Sequence, residues 1–135
     1  MYYIDSLTRE VQGFDFEIET GEISNRRVVV SVPEKLGIPD GMAIDEEDML
    51  WVAIYGAGVV NRYKPQNGQL IETVEVSGAH QVTSCAFGGP DLKDLYITTS
   101  SWKNEEEDSE KHPNAGNLFK VELDVKGVPA VSFKG

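Results

Sequence analysis

Residues 38–76 read Ile38-Pro-Asp-Gly-Met-Ala-Ile-Asp45, Leu50-Trp-Val-Ala-Ile-Tyr55, Val59-Val-Asn-Arg-Tyr-Lys64 and Ile71-Glu-Thr-Val-Glu-Val76, with a polar or glycine-bearing connection after each of the first three. This is one unit of four short strands, and parts of it recur on both sides. Second strands recur as Tyr2-Tyr-Ile-Asp-Ser6, Leu50-Trp-Val-Ala-Ile54 and Leu95-Tyr-Ile-Thr-Thr99. Aligned on Tyr3, Trp51 and Tyr96, they lie 48 and 45 residues apart, near the roughly 40–50-residue period of four-stranded propeller blades. Third strands recur at Gly13-Phe-Asp-Phe-Glu-Ile18, Val59-Val-Asn-Arg-Tyr63 and Asn117-Leu-Phe-Lys-Val-Glu-Leu123. Fourth strands follow at Arg27-Val-Val-Val-Ser-Val32, residues 71–76 and Ala130-Val-Ser-Phe133. First strands occur only at Met42-Ala-Ile-Asp45 and Val82-Thr-Ser-Cys-Ala-Phe87. The chain is therefore expected to start inside a blade whose innermost strand it lacks.

Turn chemistry supports this division. Thr20-Gly21, Pro65-Gln-Asn-Gly68 and Asp124-Val-Lys-Gly127 join third strands to fourth strands, and each offers a glycine for the positive φ of a tight hairpin. Phe14, Phe16 and Ile18 alternate with Asp15 and Glu17, the pattern of a half-buried strand. Residues 50–55 are apolar nearly throughout, which suits a strand covered on both faces. No stretch carries helical periodicity over a useful length. The expected fold is all-β, a β-propeller segment of about three blades near residues 1–33, 38–77 and 80–135.

Composition excludes several function classes. A formal net charge of −11 offers no basic patch to displace counterions from a phosphate backbone, so nucleic acid is not an expected partner. The N-terminal residues have neither a basic nor an apolar leader region, and the longest largely apolar run, residues 49–60, falls short of the roughly 18 residues that mark a membrane span. No membrane partner is expected. A single cysteine, Cys85, has no internal disulfide partner and agrees with a reducing compartment, so a cytoplasmic location is expected.

Asp40, in Ile38-Pro-Asp-Gly-Met42, is the main candidate for chemistry. One reading is a turn, in which proline presets φ and aspartate bonds the local backbone. The other uses propeller geometry: the start of an inner strand opens on one rim of the central channel, where a carboxylate can meet oxygen ligands from other blades around a hard cation. Cys85 and nearby His80 have the elements of a nucleophile and base, but an inner strand suits a buried structural thiol better. His112 sits in a polar loop and is expected to be solvated. No Gly-x-Ser-x-Gly elbow or phosphate-binding glycine loop occurs, and Asp45-Glu-Glu-Asp48 lacks the glycine and spacing of an EF-hand loop.

Six segments in order carry a family resemblance: Tyr2-Tyr-Ile-Asp-Ser-Leu7, Gly13-Phe-Asp-Phe16, Thr20-Gly-Glu-Ile-Ser-Asn-Arg-Arg27, Pro39-Asp-Gly-Met42, Leu50-Trp-Val-Ala53 and Thr83-Ser-Cys-Ala-Phe-Gly-Gly89. Together they resemble the C-terminal half of members of the SMP-30/gluconolactonase/luciferin-regenerating-enzyme family. The resemblance implies a six-bladed propeller with a divalent metal on its axis, Ca2+ or Zn2+ with Mg2+ or Mn2+ as alternatives, that hydrolyses sugar lactones. It implies metal ligation by a glutamate of the first blade, an asparagine just ahead of the Tyr-Ile-Asp-Ser segment, and the aspartate of Pro-Asp-Gly. Only the last has a counterpart here, Asp40, which would be both metal ligand and general base: the cation polarises the lactone carbonyl while a carboxylate takes a proton from water.

Three readings follow. The chain is half of a metal-dependent lactonase, inactive without its N-terminal half; or it is a non-catalytic calcium-binding or scaffold propeller fragment; or it does not fold stably alone. Its expected partners are a sugar lactone and either the missing N-terminal half or further copies of itself. The connection Ser100-Ser-Trp-Lys-Asn-Glu-Glu-Glu-Asp-Ser-Glu-Lys-His-Pro-Asn-Ala-Gly116 joins a second strand to a third, as do residues 6–12 and 55–58, so all three should edge the rim that carries Asp40, with Trp102 as a lid candidate. If the long acidic connection serves the pocket, deleting residues 104–111 in a complete ring shifts the Michaelis constant for lactone and leaves the melting temperature nearly unchanged; a purely solvated loop changes neither.

Overall fold

The computed structural model describes residues 1–101 and 110–132. Its strands form three antiparallel sheets that follow one another along the chain. The first contains β1 (Tyr2–Asp5), β2 (Glu10–Phe16) and β3 (Ile23–Ser31). A 3-10 turn at Glu34–Leu36 leads to the second, β4 (Ile38–Ile44), β5 (Leu50–Tyr55), β6 (Val59–Lys64) and β7 (Gln69–Glu75). The third holds β8 (Val82–Gly88), β9 (Asp94–Thr99) and β10 (Leu118–Glu122). Within each sheet, neighbours in space are neighbours in sequence. The hairpins expected after β2 and β6 are present, with Gly21 at φ +74° and Gly68 at φ +70°.

β5 organises the molecule. Its first five residues are all buried, and strand alternation sends them into two different cores. Leu50, Val52 and Ile54 pack with Val11, Val30 and Tyr63 towards the first sheet. Trp51 and Ala53 pack with Val82, Cys85, Leu95 and Ile97 towards the third. The second sheet is thus sandwiched between its neighbours, as the unbroken apolar run predicts.

A buried ionic clasp closes the β4–β5 turn. Asp45 is fully buried, and its Oδ1 accepts the backbone N–H groups of Glu47 (2.9 Å) and Met49 (3.0 Å). Its Oδ2 accepts the Trp51 indole N–H and the Arg62 Nε–H, both at 2.8 Å. Arg62 reaches Glu47 at 2.6 Å and lies 5.6 Å from the Trp51 ring centre. Burial opposes the Arg62 charge, but its bonds to Glu47 and Asp45 outweigh that cost and raise its pKa. Every lone pair the buried carboxylate needs filled is filled.

Four expectations are corrected. The repeat aligns Trp51 with Tyr2 instead of Tyr3: Trp51 pairs with Arg62 and Tyr2 with Gly13, each eleven residues on, and Tyr2 packs towards the second sheet. Tyr3 points the other way and is 57% exposed, because a slip of one residue reverses a strand side chain. Phe16 is exposed because its face of the first sheet has no neighbour among the described residues, and Ile18 because β2 ends at Phe16 and leaves it in the turn to β3. Residues 130–132 are not a strand; Phe133 lies outside the described residues. The segment 124–127 is not a hairpin either: Gly127 bridges Asp45, and the backbones of Glu46 and Lys126 bond at 2.8 Å. The chain after β10 therefore laps onto the β4–β5 turn, and Gly127 is needed there because a Cβ would strike the Phe87 ring.

Replacing Asp45 should test the clasp. Asp45→Ala strands a buried guanidinium and an indole N–H, so unfolding in urea followed by tryptophan fluorescence should show a loss of about 3–5 kcal/mol. Asp45→Asn, which keeps one acceptor oxygen, should lose less.

Candidate functional site

Asp40 owes its position to a β-bulge. Along β4, Ile38 pairs with Tyr55 and Pro39 with Ile54, but the next pair is Met42 with Val52. Asp40 and Gly41 therefore share the place opposite Ala53. Proline, which has no N–H to give a ladder, is tolerated here because β4 is the edge strand of its sheet and the register breaks just after Pro39. The Asp40 side chain is exposed, yet enough protein surrounds it that burial raises its pKa above the ordinary carboxylate value. Gly41 is required for a different reason: a Cβ there would run into the Ser84 side chain and come within 2.8 Å of its Cα. The Pro-Asp-Gly segment thus lets β4 and β8 lie against each other beside the carboxylate.

The third sheet repeats the device. Val82 pairs with Thr99 and Ser84 with Thr98, leaving Thr83 as the extra residue. Ala43 opposite Trp51 corresponds to Ala86 opposite Tyr96, so Thr83 occupies the position equivalent to Asp40. Its hydroxyl shares a 2.8 Å hydrogen bond with that of Thr98. A carboxylate and a hydroxyl therefore stand on adjacent strands at matching bulges.

The connections at this end of the sheets gather around them. Arg9 Nη1 donates to the Gly37 carbonyl at 2.8 Å, which brings the β1–β2 connection beside the start of β4. The Gly56 and Gly58 N–H groups donate to the His80 carbonyl at 3.0 and 2.9 Å. Tyr55 bridges Gln81, whose carbonyl accepts Ser100 N–H at 2.9 Å. Residues 6–12, 55–58 and the start of the long connection thus share one rim with Asp40, as expected. Trp102 and residues 102–109 lie outside the described residues.

His112 is not a solvated loop residue. It is half-buried, its ring 4.0 Å from that of His80. Asn114 fastens the same segment to Ser77 and Gly78 at 3.1 and 2.8 Å. A cavity of about 330 Å³ opens beside the two imidazoles, with Glu75, Ser77 and Lys111 also on its wall.

Cys85 is a structural thiol. It is buried, its S–H donates to the Trp51 carbonyl at 3.3 Å, and burial pushes its pKa up to about 12. A thiol so protonated at neutral pH supplies no nucleophile.

Could these residues hold a divalent cation? Asp40 presents the hard oxygen such an ion takes, but among the described residues no group of three or more histidine, cysteine, aspartate or glutamate side chains is placed to hold a metal. A calcium ion takes about 6–8 oxygens. The described residues do not complete a site. Nor, among them, is any helix long and apolar enough to cross a membrane.

Residues 1–101 match the family described as the SMP-30/Gluconolactonase/LRE-like region. Regucalcin of Danio rerio is 49% identical over 135 residues, covering 99% of this chain and 45% of that protein. Regucalcin of Homo sapiens is 42% identical with the same coverage. The solved structure of a luciferin-regenerating enzyme superposes with a TM-score of 0.86 at 39% identity, over 99% of this chain and 45% of the other. A calcium-binding protein, regucalcin, from Agrobacterium tumefaciens also gives 0.86, at 28% identity over 94% and 43%. The chain spans about half the length of the curated relatives it matches.

The Cys85 assignment has a direct chemical check. A thiol reagent at pH 8 should leave Cys85 unmodified in the folded protein and label it fully in guanidinium; fast labelling of the native state would return Cys85 to the list of reactive groups.

Proposed function

This chain belongs to the SMP-30/gluconolactonase/luciferin-regenerating-enzyme family, and on that footing we propose that it is the C-terminal half of a metal-dependent sugar-lactone hydrolase. Its three sheets are three blades of a six-bladed ring, the first without its innermost strand, and the chain is inactive without its N-terminal half. The observation that carries this is the bulge at Asp40: it sets a partly desolvated carboxylate beside the β4–β8 contact, on the rim where three connections gather.

Asp40 contributes one ligand, and the N-terminal half contributes the rest. The cation is Ca2+ or Zn2+, with Mg2+ or Mn2+ as alternatives; the calcium-binding relative from Agrobacterium tumefaciens favours the first. When bound, such an ion polarises a lactone carbonyl. The work of this chain is to hold and orient. Pro39 and Gly41 pin the carboxylate, and Asp40 takes the proton from the attacking water. Its raised pKa strengthens it as a base, while any bound cation weakens it, so the two roles trade against each other. The lone cysteine, free and buried, fits the cytoplasm. That no group of three or more histidine, cysteine, aspartate or glutamate side chains among the described residues is placed to hold a metal also suits the second reading, a non-catalytic calcium-binding scaffold.

The two readings part in one experiment. Co-expression with the N-terminal half of the Danio rerio relative should give divalent-dependent gluconolactone hydrolysis, while this chain alone shows none. In that reconstituted protein Asp40→Ala should lower turnover by about 100-fold or more, and Asp40→Asn should keep part of the metal affinity but lose the base. Full turnover in Asp40→Ala removes the residue from the reaction; metal binding without turnover in the reconstituted wild type favours the scaffold.

A further inference from the structure

We propose that His80 and His112 form a metal site of their own, a two-imidazole chelate for a transition ion of the Zn2+, Ni2+ or Cu2+ class, distinct in ligand chemistry from the carboxylate of Asp40. The inference needs neither the complete ring nor the lactonase reading, because both histidines and the segments that hold them lie between the second and third sheets of this chain.

The chain has two histidines, thirty-two residues apart, and the fold brings their rings together with 4.0 Å between centres and 41° between planes. Each is held by backbone bonds that do not involve the other ring. The His80 carbonyl accepts the N–H groups of Gly56 and Gly58 at 3.0 and 2.9 Å. The His112 carbonyl accepts the Ala115 N–H at 3.0 Å, and Asn114 donates to the Ser77 and Gly78 carbonyls at 3.1 and 2.8 Å. Both side chains therefore start from backbone already fixed in place, which is the preorganisation a chelate requires. Nor is the pair sealed in a core: both residues are half-buried, and both border the cavity of about 330 Å³.

Ligand type selects the ion. Imidazole suits Zn2+, Cu2+ and Ni2+, whereas Ca2+ and Mg2+ take oxygen. Ring nitrogens about 2.0–2.1 Å from a shared ion set the two ring centres about 4.5–5 Å apart, so the rings must part by about 0.5–1 Å. The cavity beside them gives that room. Among the described residues no third histidine, cysteine, aspartate or glutamate joins them in a metal-holding group, so water entering from the cavity completes the coordination, as it does at an open zinc position. On the cavity wall Lys111 opposes a cation and Glu75 attracts one, while the net charge of −11 draws cations towards the chain as a whole. An ion held here ties residues 112–114 to the segment 77–80 that leads into β8. It thereby anchors the end of the long connection.

Titration of tag-free 1–135 with Zn2+, followed by proton NMR of the imidazole signals and by calorimetry, tests the site. With two histidines in the chain, the ring signals have no other source. Both sets should shift together and saturate at one ion per chain, and the melting temperature should rise as Zn2+ is added. Ca2+ should shift neither ring. His80→Gln and His112→Gln should each weaken Zn2+ binding about tenfold or more, the scale on which even outer-shell partners act, with unchanged circular dichroism. Asp40→Asn should bind Zn2+ here as the wild type does. Zn2+ that shifts neither ring, that shifts one alone, or that binds both glutamine variants as tightly as the wild type would overturn the proposal. The wild-type NMR result decides even where a variant fails to fold. No readout uses lactone or the N-terminal half, so failure here is separable from failure of the lactonase reading.

Discussion

Burial of β5 on both faces is the constraint from which the rest of the structure follows. A strand with only one covered face can spend every second residue on solvent. β5 cannot, and Leu50, Trp51, Val52, Ala53 and Ile54 are all buried. Each large apolar side chain removed from water contributes about 1.5–3 kcal/mol, divided here between two cores by strand parity. Leu50, Val52 and Ile54 bind the second sheet to the first; Trp51 and Ala53 bind it to the third. Ala53 stands opposite the bulge that brings two β4 residues to one place.

So much apolar burial around a turn leaves polar groups to satisfy, and two networks do so. On the Trp51 side, Asp45 collects two backbone N–H groups, the indole and Arg62. On the Val52 side, Asn61 donates to the Tyr63 hydroxyl at 3.0 Å and accepts from Thr73 at 2.8 Å. Buried polar groups left unpaired would cost about 1–3 kcal/mol each. The Asp45 clasp does more than balance charge, because the turn it shapes is where residues 126–128 attach. The C-terminal segment thus ties the third sheet to the second along an edge the hydrophobic contacts do not reach.

The same constraint explains how Asp40 comes to stand apart from both cores. A regular β4 would pair residue for residue with β5 and set its side chains alternately into the two cores. The bulge frees one carboxylate from that alternation while Gly41 keeps the neighbouring strands in contact. Thr83 repeats the geometry without the charge. Asp40 is therefore the one carboxylate that this pair of matching bulges presents, and any larger site must draw on groups beyond it.

Much of this was legible in the sequence. The four-strand unit, the two β2–β3 and β6–β7 glycine turns, the double burial of residues 50–54, the structural character of Cys85 and the singular position of Asp40 all follow from local pattern: alternation, turn chemistry and the spacing of Pro-Asp-Gly. Asp45 was passed over, although a signal existed, since hairpin register alone sets Arg62 opposite Trp51 and an acid six residues before that tryptophan has both within reach. The alignment on Tyr3, the burial of Phe16, the strand over residues 130–132 and the solvation of His112 differ from the structure for one reason. Period and composition identify a strand and its two faces by themselves, because they depend only on the order of residues along the chain. Which face is covered, which residue of an aromatic pair turns inward, and where a segment attaches depend on contacts between sheets far apart in sequence, and only the tertiary structure decides those.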